Sequence, residues 1–324
     1  MTEIEFFKIW DSTFRNSKNK SRKCLVDGCE KTAIKSHALQ KNGILKQISE
    51  KNHLFQFSNV PPFQRAKKGN FELSRIGIND VYTFPGFCKN HDSTIFKPIE
   101  ANQFEIGSDK SITLFSYRAL CQEIRRKEIA LDVAQKMIET GYNIPLIIYM
   151  TDFKTGLLNG LKNLFFFKKE LEADIKDSEG KFVHKICEIP KIEICISAPL
   201  NIYDENNQLS KTHDNNGKVL NTPLVTSIVN LFPYGDKSYL MVTLSKDFPC
   251  NWTENLFTEF NNIKSPNHLK LISDLIATRF EFWCISPKLK NTLTKNKIAG
   301  MIKIWSEEVL NFDSIIETDF NVFE

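Results

Sequence analysis

The stretch "FCKNHDSTIFKPIE", residues 87–100, places a cysteine and a histidine two residues apart and follows the histidine with an acid. An upstream stretch, "KCLVDGCEK", holds two more cysteines with four residues between them. Gly28 lies in that gap and can adopt the backbone turn that a zinc knuckle needs. The two stretches together predict one structural zinc ion, with chance core cysteines as the alternative, and the predicted ligands are Cys24, Cys29, Cys88 and His91.

Length and composition indicate a folded protein of two domains with a helical connector. The chain has 324 residues, of which 41% are hydrophobic and 25% charged, and its 26 phenylalanines predict a core rich in aromatic contacts. No apolar run approaches the 18 or so residues of a membrane span. The N-terminal "MTEIEFFKIW" carries acids where a signal peptide is basic, so we expect a cytoplasmic protein.

The five cysteines outside the predicted zinc set are not expected to form disulfides in the cytoplasm. Cys121 lies on the apolar stripe of a helix, Cys187 and Cys195 alternate as in strands, and Cys284 ends a hydrophobic segment. These positions predict core packing. Cys250 follows a proline, and its pattern leaves its role open.

Positive charge is concentrated in the first hundred residues, which carry 17 of the 43 Lys and Arg but 10 of the 39 Asp and Glu. No acid interrupts the chain between Asp11 and Asp27. Such a segment can neutralise phosphates, which predicts binding to DNA or, less expected, RNA, with a solvated basic linker as the alternative. The candidate contact residues are Arg15, Lys18, Lys20, Arg22, Lys23, Lys35, Arg65, Lys67 and Lys68.

The order of these features, over about residues 20–100, resembles the treble-clef zinc fold and in particular the zinc-containing HNH (ββα-metal) endonucleases. The features are the knuckle, the histidine of "IKSHALQ", and a helix carrying the second ligand pair. The resemblance implies that His37 is a general base acting on water and that Asp92 binds a divalent cation. It also implies that Asn59 in "FSNVPP" orients the base.

Two features depart from the family. Ser36 stands where the family has a cation ligand, and the segment between His37 and Cys88 is longer than the compact motif. His53 in that segment either replaces the missing ligand or caps a strand. Histidine supplies a base of near-neutral pKa, and a carboxylate suits magnesium or manganese. Three hypotheses stay open: a nuclease with altered ligands, a nuclease that needs a partner, and a zinc fold that only binds nucleic acid.

The remaining residues predict an α+β chain in three parts: a basic zinc-binding domain (1–105), a helical connector (106–180) and a C-terminal α+β domain (181–324). Helical periodicity ends at Gly141 and returns over 161–177. Four strand-like runs lie between 181 and 245, and two further helical patterns follow. We expect a mixed sheet flanked by helices that recognises a partner or ligand or forms a homodimer. The leading hypothesis is an HNH-like DNA endonuclease, by analogy a bacterial defence or restriction effector; the alternative is a non-catalytic zinc protein that binds or senses nucleic acid.

Overall fold

The computed structural model describes residues 2–60, 64, 71–100, 104–177, 179–201, 223–262, 268–308 and 317–324. A π-helical turn at Lys41–Leu45 leads into the second helix. The helices are α1 (Glu3–Asn19), α2 (Lys46–Ile48), α3 (Lys89–Ile95), α4 (Lys97–Glu100), α5 (Asp109–Thr140), α6 (Ile144–Asp177), α7 (Asn251–Asn261), α8 (His268–Thr278), α9 (Pro287–Thr292) and α10 (Lys295–Glu308).

The strands form two antiparallel sheets. They are β1 (Lys35–His37), β2 (His53–Asn59), β3 (Phe71–Gly77), β4 (Thr83–Pro85), β5 (Phe182–Pro190), β6 (Ile194–Leu200), β7 (Ser227–Tyr234), β8 (Lys237–Ser245) and β9 (Trp283–Ile285). Strands β1 and β4 pair with each other, and the other seven form one sheet in the order β3-β2-β9-β6-β7-β8-β5. Each described pairing in this sheet is antiparallel, so the predicted mixed sheet is wrong.

The long segment between His37 and Cys88 supplies two strands of the large sheet. Its β2 pairs with β3 on one side and with β9 on the other, through Phe55 opposite Ile285. The hydroxyl of buried Tyr82, just after this hairpin, donates a hydrogen bond to the carbonyl of Cys195 on β6, at 2.8 Å. Residues from the predicted zinc domain and from the predicted C-terminal domain therefore share one sheet.

Helices cover both faces of this sheet, which explains why β7 is buried along almost its whole length. Alternate side chains of a strand point to opposite faces. On one face, Cys195 and Phe232 belong to the first core cluster, together with Phe115 of α5 and Cys88 before α3. On the other face, Trp283 belongs to the second core cluster, which includes side chains of α7, α8 and α10.

The two long helices α5 and α6 pack against each other and hold the N-terminal helix. They run for 32 and 34 residues, and three residues join them. Gly141 ends α5 in the left-handed conformation (φ 63°), as its sequence predicts. Helix α1 packs on their far end through Phe6, which stacks on Tyr142 with ring centroids 5.0 Å apart.

The four predicted strands between 181 and 245 and the predicted helix ending at Gly141 are confirmed. Sequence periodicity missed β9, which is three residues long, and α7. The expected core positions of Cys121, Cys187, Cys195 and Cys284 are confirmed, and Cys250 is buried as well. In the described part of the chain, no helix combines the length and the apolar character that crossing a membrane requires.

Candidate metal centre and adjoining cleft

The knuckle that carries Cys24 and Cys29 is a tight backbone turn between two extended segments. The amide of Cys24 donates to the carbonyl of Lys31 at 2.8 Å, and the amide of Cys29 donates to that of Val26 at 3.1 Å. Gly28 adopts a left-handed conformation (φ 70°), which few side chains tolerate. The turn thereby brings both thiols to the same side.

The second ligand pair comes from the start of α3. Cys88 is the residue before the helix, and His91 lies in its first turn, so that both side chains face the knuckle. Backbone bonds lock the two segments together, since the amide of Leu25 donates to Gly86 at 2.9 Å. The amide of Ile34 donates to the carbonyl of Phe87 at 2.7 Å.

The four predicted zinc ligands form a cluster whose donor atoms all lie within 4.8 Å of one another. Cys24 Sγ is 3.3 Å from His91 Nδ1, and Cys29 Sγ is 4.0 Å from Cys88 Sγ. Tetrahedral zinc with bonds of about 2.3 Å to sulfur requires sulfurs about 3.8 Å apart, so the spacing fits this ion. Three thiols and one imidazole are also the donor types that structural zinc prefers.

The thiols of the cluster differ in their electrostatic surroundings. Burial raises the pKa of Cys24 to about 11. A hydrogen bond from the backbone amide of His91 lowers the pKa of Cys88. Because zinc binds thiolates, loading the cluster would release a proton from Cys24.

An open cleft of about 490 Å³ adjoins α3. His37, at the end of β1, and Asp92, next to the cluster residue His91, both line it. The remaining lining residues are polar or charged: Lys35, Lys41, Asn42, Ser93, Lys97, Glu100 and Arg118. The fold therefore brings together the two residues that the resemblance assigns to base and cation ligand.

His37 is held in one orientation. Its Nε2 lies 3.1 Å from the carbonyl oxygen of Ile78, and only Nε2–H can donate to a carbonyl, which leaves Nδ1 as the unprotonated nitrogen. Burial lowers the pKa of His37 below its ordinary value of 6.5. The imidazole is therefore neutral at pH 7 and able to accept a proton.

Asp92 presents an oxygen that has no hydrogen-bond partner among the described residues. This atom, Oδ1, is buried, and Arg118 Nη2 is 3.8 Å away. An orphaned buried carboxylate oxygen is costly unless a further ligand or cation satisfies it. The side chains of Asn42 and Ser93 add further oxygens to the lining of the same cleft.

Arg118 is a cleft residue that the sequence patterns did not single out, and its side chain is 2% exposed. It forms an ion pair with Glu100, and its guanidinium carbon lies 4.0 Å from the ring centroid of Phe96. A signal was present in the sequence: Arg118 is four residues after Leu114 and three before Cys121, on the apolar stripe of α5.

The other predicted catalytic residues, Asn59 and His53, are not among the lining residues of the cleft, and neither is Ser36, which stands where the family has a cation ligand. Ser36 is buried in the β1–β4 hairpin, where its hydroxyl oxygen accepts a 3.4 Å hydrogen bond from the amide of Phe87. Asn59 is exposed at the end of β2. His53 begins β2, with Nδ1 2.7 Å from the carbonyl of Lys51. The positions of Asn59 and His53 outside the cleft do not support the catalytic roles predicted for these two residues.

Most of the predicted nucleic-acid contacts are engaged within the protein. Arg22 is largely buried and contacts Asp132 at 2.9 Å and Glu128 at 3.4 Å, which ties the knuckle to α5. The exposed cations Arg15, Lys20, Lys23 and Lys35 have acidic partners in Asp11, Asp132, Glu30 and Asp80 respectively. Lys18 is exposed at the end of α1. The candidates Arg65, Lys67 and Lys68 lie outside the described residues.

Comparison of the chain with protein-family models, with curated proteins and with solved structures found no match in any of the three.

Proposed function

We propose that this chain is a zinc-containing, HNH-like endonuclease that hydrolyses phosphodiester bonds of DNA with the help of a divalent cation. The observation that carries the proposal is the position of His37 and Asp92 on one cleft beside the Cys3His cluster. Phosphodiester hydrolysis needs a base for water and a positive charge near the phosphate oxygens. This cleft offers residues for both.

The local fold supports the proposal. A knuckle precedes β1, β1 pairs antiparallel with β4, and α3 follows β4 and carries two ligands of the cluster. This order of knuckle, two strands and helix agrees with the treble-clef, ββα-metal arrangement that the sequence resembles. The hairpin β2–β3 is an insertion between the two strands of that arrangement.

In the proposed reaction His37 accepts a proton from the attacking water at Nδ1, while the Ile78 carbonyl keeps its ring in place through Nε2. Asp92 would hold the cation, which when bound supplies positive charge to the non-bridging and leaving oxygens. The residue that orients the base is then Ile78, through its backbone, in the role that the sequence resemblance gave to Asn59.

Cleavage of supercoiled plasmid DNA in magnesium or manganese tests the proposal. His37→Ala is expected to lower the rate by about 10²–10⁴-fold, the usual contribution of a general base. Zinc content and far-UV circular dichroism should remain those of wild type. His268→Ala, at the start of α8 and outside the cleft, is the matched control and should cleave as wild type does.

The competing function is a zinc protein that binds or senses nucleic acid without cutting it. Two observations favour it: Ser36 is buried away from the cleft, and Arg118 stands 3.8 Å from Asp92 on the side where a cation is needed. A wild-type protein that binds DNA but cleaves none in either cation, under conditions where zinc is retained, would decide for this function.

A further inference from the structure

The cleft contains a buried guanidinium that the proposed reaction does not use. Burying a charge is costly, and proteins retain buried charges where they are paired or bind a ligand. Glu100 pairs with Nη1 of Arg118, and Oδ1 of Asp92 is an ionic neighbour of Nη2 at 3.8 Å, which is too far for a hydrogen bond. Among the described residues, Nε of this side chain is also buried without a hydrogen-bond partner. Arg118 therefore keeps donor capacity that its protein partners leave unused.

The guanidinium is held rigidly at the surface of the cleft. Glu100 anchors Nη1, and the ring of Phe96 supports the flat face of the group at 4.0 Å. A planar, preorganised fork of N–H donors matches the oxygens of a phosphate better than the mobile ammonium of a lysine. Holding it in advance also reduces the entropy lost when an anion binds.

The cleft around Arg118 favours anions. Three lysines line it, Lys35, Lys41 and Lys97, against the two carboxylates of Asp92 and Glu100. With Arg118 included, positive charges exceed negative ones by two. Lys97 has no ion-pair partner in the part of the chain that the structure describes, whereas Lys35 pairs with Asp80. The volume of about 490 Å³ lies within the range of sites that bind nucleotide-sized ligands.

We propose that Arg118 is the phosphate-binding residue of this cleft, that Glu100 positions its guanidinium, and that the ligand is a phosphodiester group of a DNA strand. The choice of a DNA strand rests on the proposed function, whereas the anion site rests on Arg118 and its surroundings. Arg118 donates to the phosphate oxygens, and the lysines contact the neighbouring phosphates of the strand.

Binding of a short, fluorescein-labelled single-stranded DNA, measured by fluorescence anisotropy without added magnesium or manganese, tests the proposal on the full chain. Arg118→Lys keeps the charge and loses the fork, and it should weaken binding about tenfold or more. Arg126→Lys is the matched control, because Arg126 is on the same helix, pairs with Glu123 and Glu281, and does not line the cleft. Its affinity should stay within about twofold of wild type.

A second variant keeps the test decisive if Arg118→Lys fails to fold. Glu100→Gln keeps an oxygen that can accept from Arg118 and removes one negative charge from the cleft, so DNA should bind several-fold more tightly. Equal affinities of wild type and a folded Arg118→Lys protein would overturn the proposal, as would unchanged or weaker binding by Glu100→Gln.

Titration with inorganic phosphate distinguishes a DNA strand from a small phosphate compound as the ligand of the cleft. Phosphate should displace the labelled DNA from wild type. If inorganic phosphate binds in an Arg118-dependent way and the DNA does not bind, the cleft accepts a small phosphate compound. That result would overturn the proposal that its ligand is a DNA strand. Arg118-dependent DNA binding by a protein that cleaves nothing would leave this inference standing while the proposed nuclease function fails.

Discussion

Replacing Cys88 with serine should destabilise the large sheet as well as the zinc module. Cys88 is 3% exposed and belongs to the same core cluster as Phe115 of α5 and Cys284 of β9. The hairpin β2–β3, which lies in sequence between the two ligand pairs, is hydrogen-bonded to β9. Loss of the metal should therefore spread through shared packing and shared hydrogen bonds, and unfolding should remain one transition.

The size of the effect follows from metal linkage. When free zinc is about a thousandfold above the dissociation constant of the site, zinc binding adds about 4 kcal/mol to the free energy of unfolding. A serine hydroxyl is a poor substitute for a thiolate ligand, so the variant should lose this contribution. Domains are stable by about 5–15 kcal/mol, so the variant should lose a large part of its stability. Cys121→Ala is the matched control, since Cys121 is fully buried in the same cluster and is not a ligand. It should lose about 1 kcal/mol, the cost of removing one small buried group.

Urea unfolding followed by tryptophan fluorescence, with zinc content measured in parallel, tests this expectation. Trp283 and Trp305 are buried beside Phe57, where β2 meets β9, so their emission reports on the sheet rather than on the zinc cluster. The reasoning is refuted if Cys88→Ser protein lacks zinc and yet the tryptophan transition keeps its wild-type midpoint.

Three further outcomes are expected. Because burial lowers the pKa of His37 below 6.5, kcat/KM for cleavage should be nearly constant above about pH 7.5 and fall about tenfold per pH unit below the lowered pKa. A tenfold fall in kcat/KM between about pH 8 and pH 7 would contradict this expectation. Arg22→Ala should lower the free energy of unfolding in urea by about 2 kcal/mol, a figure reduced to allow for the partial exposure of Glu128 and Asp132. Lys18→Ala, at an exposed position, should leave it unchanged. Equal effects of the two substitutions would contradict a stabilising role for the Arg22 ion pairs. Thr243→Val should lower the free energy of unfolding by about 1–3 kcal/mol, because the Thr243 hydroxyl on β8 is hydrogen-bonded to His184 of β5 and to Ser116 of α5. Thr258→Val, at an exposed position of α7, is the control and should lower it by less than about 0.5 kcal/mol.

The Cys3His cluster and several regular elements could be predicted from local patterns. Ligand type and short spacing in "KCLVDGCEK" and "FCKNHD" were sufficient, because each pair forms within one turn of backbone. The end of α5 at Gly141 and the alternation in β5 and β8 are likewise local, since a left-handed residue and a period of two act over a few neighbours.

The cleft could be predicted only in part. The resemblance named His37 and Asp92, which line one cleft, but it did not supply the Ile78 carbonyl, which lies 41 residues from His37 in the chain. The sequence did not mark Arg118 as a site residue, because charged residues are mostly exposed and its place on an apolar stripe is a weak signal of burial. Its burial depends on Glu100 and Phe96, which come from a different part of the chain.

The sequence by itself determined the members of the Cys3His cluster, most of the longer helices and strands of residues 106–308 and the basic character of the first hundred residues. Tertiary structure alone decided that β2 and β3 join a sheet made mostly by residues 182–285, because the pairing of Phe55 with Ile285 joins residues far apart in the chain. It also decided which basic residues face the cleft and which pair with acids. Long-range pairing and burial are set by the packing of the whole chain, and no local period in the sequence records them.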